Sequence, residues 1–347
     1  MTVRNVRRCS GLLLAASLLA GLAPARGASA QNVVVKMATL VPQGSDWYTT
    51  LQEMGRKWQA ASGGRVTLRL YPGGVAGDDS DVVRKMRLGT LEAGVLTSVG
   101  LADLDRSVYA LELPMGYRDY KEFNAVLEAM TPQLKKIYAD KGLVVLAWAD
   151  AGWVHFFTKS PVRVPDDLKA LKLFTWAGDD LAVELWRSAG FNPVPLPSTE
   201  ISTALQTGLV AALPTTAQAA VLLQWYTSAK YMTDVNWAVL LGAIVVSKAT
   251  WERIPADVRP ALLQAAEEAG ARARVQTRAS EENGIQAMEK RGLTVIRLDG
   301  AATEAWRRTA EAVYPTLRGR YVPAPAFDEA LKLRDEYRKG TLGRANP

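Results

Sequence analysis

The sequence predicts an α/β fold of two lobes, and three observations carry that prediction. At 347 residues the chain is longer than one ordinary hydrophobic core organises. Short apolar runs of strand length alternate with helix-length amphipathic segments, the βαβ pattern of a largely parallel sheet. Two further apolar segments, 152–158 and 240–247, read as strands passing between the lobes, so that repeated crossings form a hinge about which the lobes close.

The first thirty residues stand apart from this pattern. Arg4, Arg7 and Arg8 precede the apolar run Leu12 to Leu22, and Ala28-Ser29-Ala30 supplies small residues before Gln31, which together read as a secretory signal cleaved near Ala30. Its apolar run is too short for a permanent membrane anchor. Cys9 leaves with the signal, so the exported chain is expected to carry no disulfide. The formal charge of +7 falls to about +3 once Arg4, Arg7, Arg8 and Arg26 are removed from the 42 basic residues set against 35 acidic ones. Basic and acidic residues are interspersed, as Arg272, Arg274 and Arg278 are with Glu267 and Glu281, which is a solvated surface and argues against a nucleic-acid partner.

From Gln31 the elements follow in order. Val33 to Thr39 is a strand, and a loop with Pro42, Gly44 and Ser45 leads to a helix from Asp46 to Ala61 whose Leu51, Met54 and Trp58 share one face. Val66 to Tyr71 alternates as a strand, Pro72-Gly73-Gly74 turns, Asp78 to Leu88 is helical, and Ala93 to Ser98 is a third strand. A helix over Tyr120 to Asp140 precedes two separate strands, Leu143 to Trp148 and Gly152 to Thr158. The second lobe repeats the plan: strand Leu171 to Trp176, turn and N-cap at Gly178 and Asp179, helix through Leu185, strand Pro193 to Leu196, helix Thr199 to Thr207, then strand Leu209 to Leu213 broken by Pro214 and a helix capped by Thr215 or Thr216. Leu240 to Ser247 is an apolar strand long enough to belong to both lobes. A long helix follows, with Pro255 near its start and Pro260 just past its first turn, running to about Arg291. A strand at Val295 to Leu298 and two helices, about 302–314 and 327–339, complete the chain.

In such a sheet the loops after the parallel strands open on one edge, where ligands bind. That edge would carry Trp176, Asp179, Ser198, Thr215, Thr216 and Gln218, with helix N-termini making a polar rim. Asp179, Ser198 and Thr215 each also have a complete local role as caps.

No sequence motif asks for catalysis. There is no Gly-x-Ser-x-Gly elbow, no phosphate-binding Gly-Lys-Ser/Thr loop, no Cys-x-x-Cys and no His-Glu-x-x-His. The single histidine, His155, lies in an apolar, aromatic strand and reads as a packed core or hinge residue. One histidine and no mature cysteine argue against a transition metal, and Asp179, Asp180 and Glu200 read as helix-start carboxylates rather than as cation ligands. The expectation is therefore no catalytic group, no metal and no cofactor.

Several segments together carry a family likeness: Ser62-Gly63-Gly64-Arg65-Val66 through Tyr71-Pro72-Gly73-Gly74, Leu113-Pro114 before Tyr117, Pro165-Asp166-Asp167-Leu168-Lys169, and Ala204-Leu205-Gln206-Thr207-Gly208. In order and spacing the chain resembles the DctP-like periplasmic solute receptors of TRAP transporters. The resemblance implies a two-lobed periplasmic binding protein fold with hinge strands and a long helix spanning both lobes. Lobe I would take residues 31–152 plus about 241–285, and lobe II residues 153–240 plus about 286–347. It also implies capture of a small organic solute, a carboxylic acid by class, and delivery to the small and large membrane subunits of a sodium-driven permease. A sensor signalling to a membrane partner, or a secreted enzyme pairing His155 with Asp150, are the alternatives; oligomeric state is left open.

Two departures bear on the ligand. Where the resemblance implies an arginine that clamps a carboxylate, Leu171-Lys172-Leu173-Phe174 places Phe174, and where an asparagine is frequent the choices are Thr215, Thr216 and Gln218. With ten tryptophans in the chain, several beside loop edges, the expected cleft is more aromatic and less charged. Its walls would be Trp47, Tyr71, Trp153, Phe174, Trp176 and Trp225, and its hydrogen-bonding groups Ser98, Thr215, Thr216 and Gln218.

Overall fold

The computed structural model describes residues 32–342, so the expected signal segment lies outside the described residues. The central strands are buried almost continuously, as in Ala93–Thr97 and Leu143–Thr158, so the sheet carries a core on both faces. The strands are β1 (Val33–Thr39), β2 (Val66–Tyr71), β3 (Ala93–Thr97), β4 (Leu143–Thr158), β5 (Lys172–Trp176), β6 (Asn192–Leu196), β7 (Ala212–Thr216), β8 (Tyr231–Asp234), β9 (Val239–Ser247) and β10 (Thr294–Arg297). Their order is β2-β1-β3-β9-β4-β7-β5-β6, with β8 on β4 and β10 on β8. Parallel pairs β1–β2, β1–β3, β5–β6 and β5–β7 make two βαβ half-sheets, and β4 joins them, antiparallel to β9 along its first part and to β7 and β8 along its second.

Residue parity assigns each strand's two faces. In β1, Ala38 points into one core while Val35 and Met37 point into the other, against Trp58 and Leu262. In the second half-sheet, Phe157, Phe174 and Leu213 face the helices Ile201–Thr207 and Ala217–Leu222, whereas Phe156 and Leu173 face Trp306. The helix Arg259–Glu289 spans both halves: Leu262, Ala266 and Ala273 pack into the first, Ile285 and Met288 into the second.

The crossing differs from expectation. Leu143 to Trp148 and Gly152 to Thr158 are one 16-residue strand, not two. Gly152, at φ +99°, sits where the register against β9 shifts between Asp150 and Trp153; a bulge absorbs the irregularity there without ending the strand. The strand common to both halves is thus β4. β9 stops opposite Trp153 and hands over to β8 through Trp237 and Ala238, which still bond Val154 at 3.0 and 2.7 Å. Two prolines also read differently. Pro214 lies inside β7, opposite Phe156, and does not break it. Pro260 lies in the first turn of the long helix, where a missing N–H costs no intrahelical bond, and Pro255 precedes that helix.

Candidate functional site

The loop edges of the two half-sheets meet at the C-terminal ends of β1, β3, β5 and β7. Thr39 leads into Leu40-Val41-Pro42, β3 ends at Thr97, β5 at Trp176 and β7 at Thr216, which caps the helix Ala217–Leu222 by accepting from the Ala219 N–H at 3.2 Å. Between these ends lies an outer cavity of about 310 Å³, lined among others by Trp47, Thr97, Trp176, Ser198, Thr215, Gln218 and Trp225. An inner cavity of about 200 Å³ adjoins it, lined by Ser98, Tyr109, Glu112, Phe174, Thr175, Trp186, Trp237 and others. Trp176, Thr215, Trp225 and Leu240 line both and form the wall between them.

Much of the outer wall is fixed by hydrogen bonds to the long helix. The Trp47 indole N–H donates to Thr277 Oγ1 at 3.1 Å, and Thr277 in turn donates to Gln218 Oε1 at 3.1 Å, which leaves the Gln218 amide nitrogen without a partner among the described residues. Trp225 donates to Ser202 at 3.1 Å. Among the described residues the one charged side chain lining this cavity is that of Asp150, whose carboxylate is held by Arg278 of the long helix at 2.6 Å. Burial raises the Asp150 carboxyl, opposed by that guanidinium.

Behind Thr97, Asp79 accepts the Thr97 N–H at 2.8 Å and its hydroxyl at 2.6 Å. Burial pushes the Asp79 carboxyl up to about 7. Beside the inner cavity Glu112 accepts the Ser98 hydroxyl at 2.9 Å and the Leu241 N–H at 2.6 Å, and burial raises it likewise to about 7. Asp179 caps the helix Asp180–Ser188 and also receives both Arg106 terminal nitrogens, at 3.0 and 3.3 Å, with the hydroxyls of Tyr109 and Tyr321 at 3.2 and 3.1 Å. The Arg106 guanidinium lies over both tyrosine rings, 5.0 and 4.1 Å from their centroids.

The structure brings Trp47, Trp176, Thr215, Gln218 and Trp225 to the outer cavity, and Ser98, Phe174, Trp176, Thr215 and Trp225 to the inner one. Three expected residues line neither. Tyr71 ends β2 beneath the Arg69 side chain, 5.4 Å from its ring. Trp153 turns into the core against Tyr120, with ring centroids 5.4 Å apart, because the bulge at Gly152 resets which face it occupies. Thr216 alternates with Thr215 and spends its hydroxyl on the helix cap. His155 is buried, its Nδ1 3.0 Å from the Val235 carbonyl and its Nε2 3.7 Å from Glu281, and no hydrogen bond joins it to Asp150 among the described residues. Glu112, Thr175, Trp186 and Trp237 were not anticipated; the only sequence signal for Thr175 is its place between Phe174 and Trp176.

The cavity is walled by strand ends from two βαβ half-sheets that share one strand, and comparison with known proteins decides the family. The family of bacterial extracellular solute-binding proteins, family 7 (DctP), matches residues 37–319. The chain belongs to that family. Among its relatives, the C4-dicarboxylate-binding periplasmic protein DctP of Rhodobacter capsulatus is 28% identical over 324 residues, covering 90% of this chain and 95% of that protein. The 2,3-diketo-L-gulonate-binding periplasmic protein YiaO of Escherichia coli K12 is 25% identical over 283 residues, covering 81% and 86%. Solved TRAP periplasmic solute-binding proteins superpose closely. One from Ralstonia eutropha H16 with bound (S)-2-acetolactate has a TM-score of 0.81 at 23% identity, covering 87% of this chain and 99% of that one. The sugar-acid-binding DctPAm of Advenella mimigardefordensis with galactonate has a TM-score of 0.82 at 18% identity, covering 88% and 99%. Family 7 proteins are solute-binding receptors, and this one shares their two-lobed α/β fold.

Proposed function

We propose that this receptor is exported with cleavage near Ala30, captures a small organic solute between lobes divided near residue 152, and delivers it to the small and large membrane subunits of a TRAP permease. Lobe I takes residues 31–152 and about 241–285, lobe II residues 153–240 and about 286–347. The observation that carries the reading is the outer cavity, which draws its walls from strand ends of both half-sheets, with Trp47 from one and Trp176, Thr215 and Gln218 from the other. Closure of two lobes on a solute turns occupancy into a shape change that a membrane partner can read.

The test is a thermal-shift screen of the chain from Gln31 onward against organic acids, sugar acids, amino acids and uncharged aromatic compounds. A binder at about a hundred times its dissociation constant adds about 2.7 kcal/mol of stability. Trp176→Ala is expected to lower affinity for any hit at least tenfold; unchanged affinity removes Trp176 from the site. A chain that no compound stabilises, and that does not associate with detergent-solubilised permease subunits, would contradict the receptor reading.

A further inference from the structure

We propose that Gln218, turned by a hydrogen-bond relay through Thr277, receives the solute's carboxylate by neutral donors alone, so that this receptor selects acids carrying one carboxylate over acids carrying two. The inference rests on the receptor reading and narrows it to a substrate class.

The relay fixes which end of the carboxamide meets the solute. The Trp47 indole N–H can only donate, and Thr277 Oγ1 accepts it at 3.1 Å. The Thr277 hydroxyl has one proton of its own, which goes to Gln218 Oε1 at 3.1 Å. Thr277 is 1% exposed and belongs to the long helix, so the relay ties one wall residue from each half-sheet to a single rigid element. With its oxygen engaged, Gln218 presents its two amide protons to the outer cavity that it lines, and that end calls for an acceptor such as a carboxylate oxygen.

Two further donors stand on the same wall. Leu173 of β5 pairs with Ala212 of β7, and three residues on from that pair come Trp176 and Thr215. Both line the outer cavity, and among the described residues neither the Trp176 indole N–H nor the Thr215 hydroxyl is spent on another group. A carboxylate that accepts two or three such bonds stays ionised without a cation, and hydrogen bonds to a charged acceptor are about twice as strong as those between neutral groups.

The same lining limits the count to one. Among the described residues no lysine or arginine lines either cavity. The acidic groups of the walls are already satisfied, Asp150 by Arg278, Asp179 by Arg106, and Glu112 by the Ser98 hydroxyl and the Leu241 N–H. A second solute carboxylate would give up its water with no guanidinium or ammonium to replace it. It would also repel the first across a short distance that no cation screens.

The experiment is titration calorimetry on the chain from Gln31 onward with pairs matched in carbon number: 2-oxovalerate against 2-oxoglutarate, butyrate against succinate, and gluconate against glucarate. In each pair that binds, the monocarboxylate is expected to bind at least tenfold tighter. Gln218→Met, which keeps the length and removes the amide, should weaken that acid at least tenfold. Thr277→Val should weaken it about three- to tenfold, and Thr277→Ser, which keeps the hydroxyl, should hold the parental affinity. Melting curves check the fold of each variant, and Gln218→Met carries the test alone if Thr277→Val does not fold. A dicarboxylate bound as tightly as its matched partner overturns the selection and leaves the receptor reading standing. Affinity unmoved by Gln218→Met overturns the contact, and a loss in Thr277→Val that Thr277→Ser shares overturns the relay. Silence from all three pairs overturns the inference; the receptor reading falls with it only if the wider thermal-shift screen also finds no binder.

Discussion

Asp78 and Ser198, 120 residues apart in sequence, are joined by two hydrogen bonds: the Ser198 N–H donates to Asp78 Oδ2 at 2.7 Å and its hydroxyl to Oδ1 at 2.9 Å. Asp78 caps the helix Asp79–Arg87 of the first half-sheet, and Ser198 begins the turn after β6 of the second. The pair therefore clasps the two half-sheets together beside the outer cavity, which Ser198 lines. Ser198→Ala deletes one of the two bonds, a loss of about 0.5–1.5 kcal/mol. Solute affinity is expected to fall about three- to tenfold through faster release, measured by stopped-flow Trp fluorescence; an unchanged off-rate would show that this clasp does not hold the closed form.

A second clasp is ionic. Removing Arg106 strips the buried Asp179 of its bidentate partner and leaves its charge against two tyrosine hydroxyls. Breaking a buried pair from one side costs about 3–5 kcal/mol; the partial exposure of Arg106 sets the expectation for Arg106→Ala at the lower end of that range. Asp179→Asn in the same chain should restore part of the loss in urea unfolding. If the double variant is as unstable as the single one, the unpaired charge is not the cause.

The buried carboxyl of Glu112 makes stability pH-dependent in a stated direction. Its folded pKa of about 7 exceeds the ordinary 4.5, so the folded chain binds the proton more tightly than the unfolded one. Its stabilising contribution is complete below pH 4.5, declines as pH rises through 7, and each unit between is worth about 1.4 kcal/mol. Glu112→Gln keeps the shape without the titration. The variant should gain stability relative to the parent from pH 5 to pH 8 in chemical unfolding; parallel profiles would rule the group out.

Close helix–sheet packing yields another expectation. A Cβ placed on Gly270 would lie 2.7 Å from the Trp148 carbonyl oxygen and 2.9 Å from the Ala147 Cβ, where the long helix crosses β4. Backbone cannot retreat as a flexible side chain can, so Gly270→Ala should cost about 1–3 kcal/mol despite alanine's better helix propensity. Unfolding midpoints in urea measure it, and a neutral or stabilising result would mean the crossing is looser than described.

Period and punctuation made much of the fold legible. Val33–Thr39, Asp46–Ala61 and Tyr120–Asp140 are read from the sequence at their observed bounds because a short apolar run marks the strand and an apolar helical stripe marks each helix, and the structure adds side-chain caps at Ser45 and Asp119. β4 was not legible as one strand, since Gly152 reads as an interruption and only the pairing with β9 shows a bulge. The loop edge was legible as a place, which is why Trp47, Trp176, Thr215 and Gln218 line the outer cavity. Side-chain direction was not. Trp153 and Thr216 fall one residue from the parity that faces the cavity, and Glu112 reaches Ser98 and Leu241 through long-range packing that no local pattern encodes.

The single strand β4 carries a further consequence. Its first residues are walled into the core around Val145 and Trp148, and its last into the cores around Phe156 and Phe157. Neither lobe owns it, so neither can be excised and expressed as an autonomous fragment: whichever piece lacks β4 loses the backbone partner of several neighbours at once. A protease nick within 143–158 should therefore scatter the whole molecule, whereas the same nick in an exposed turn should leave two halves still clasped.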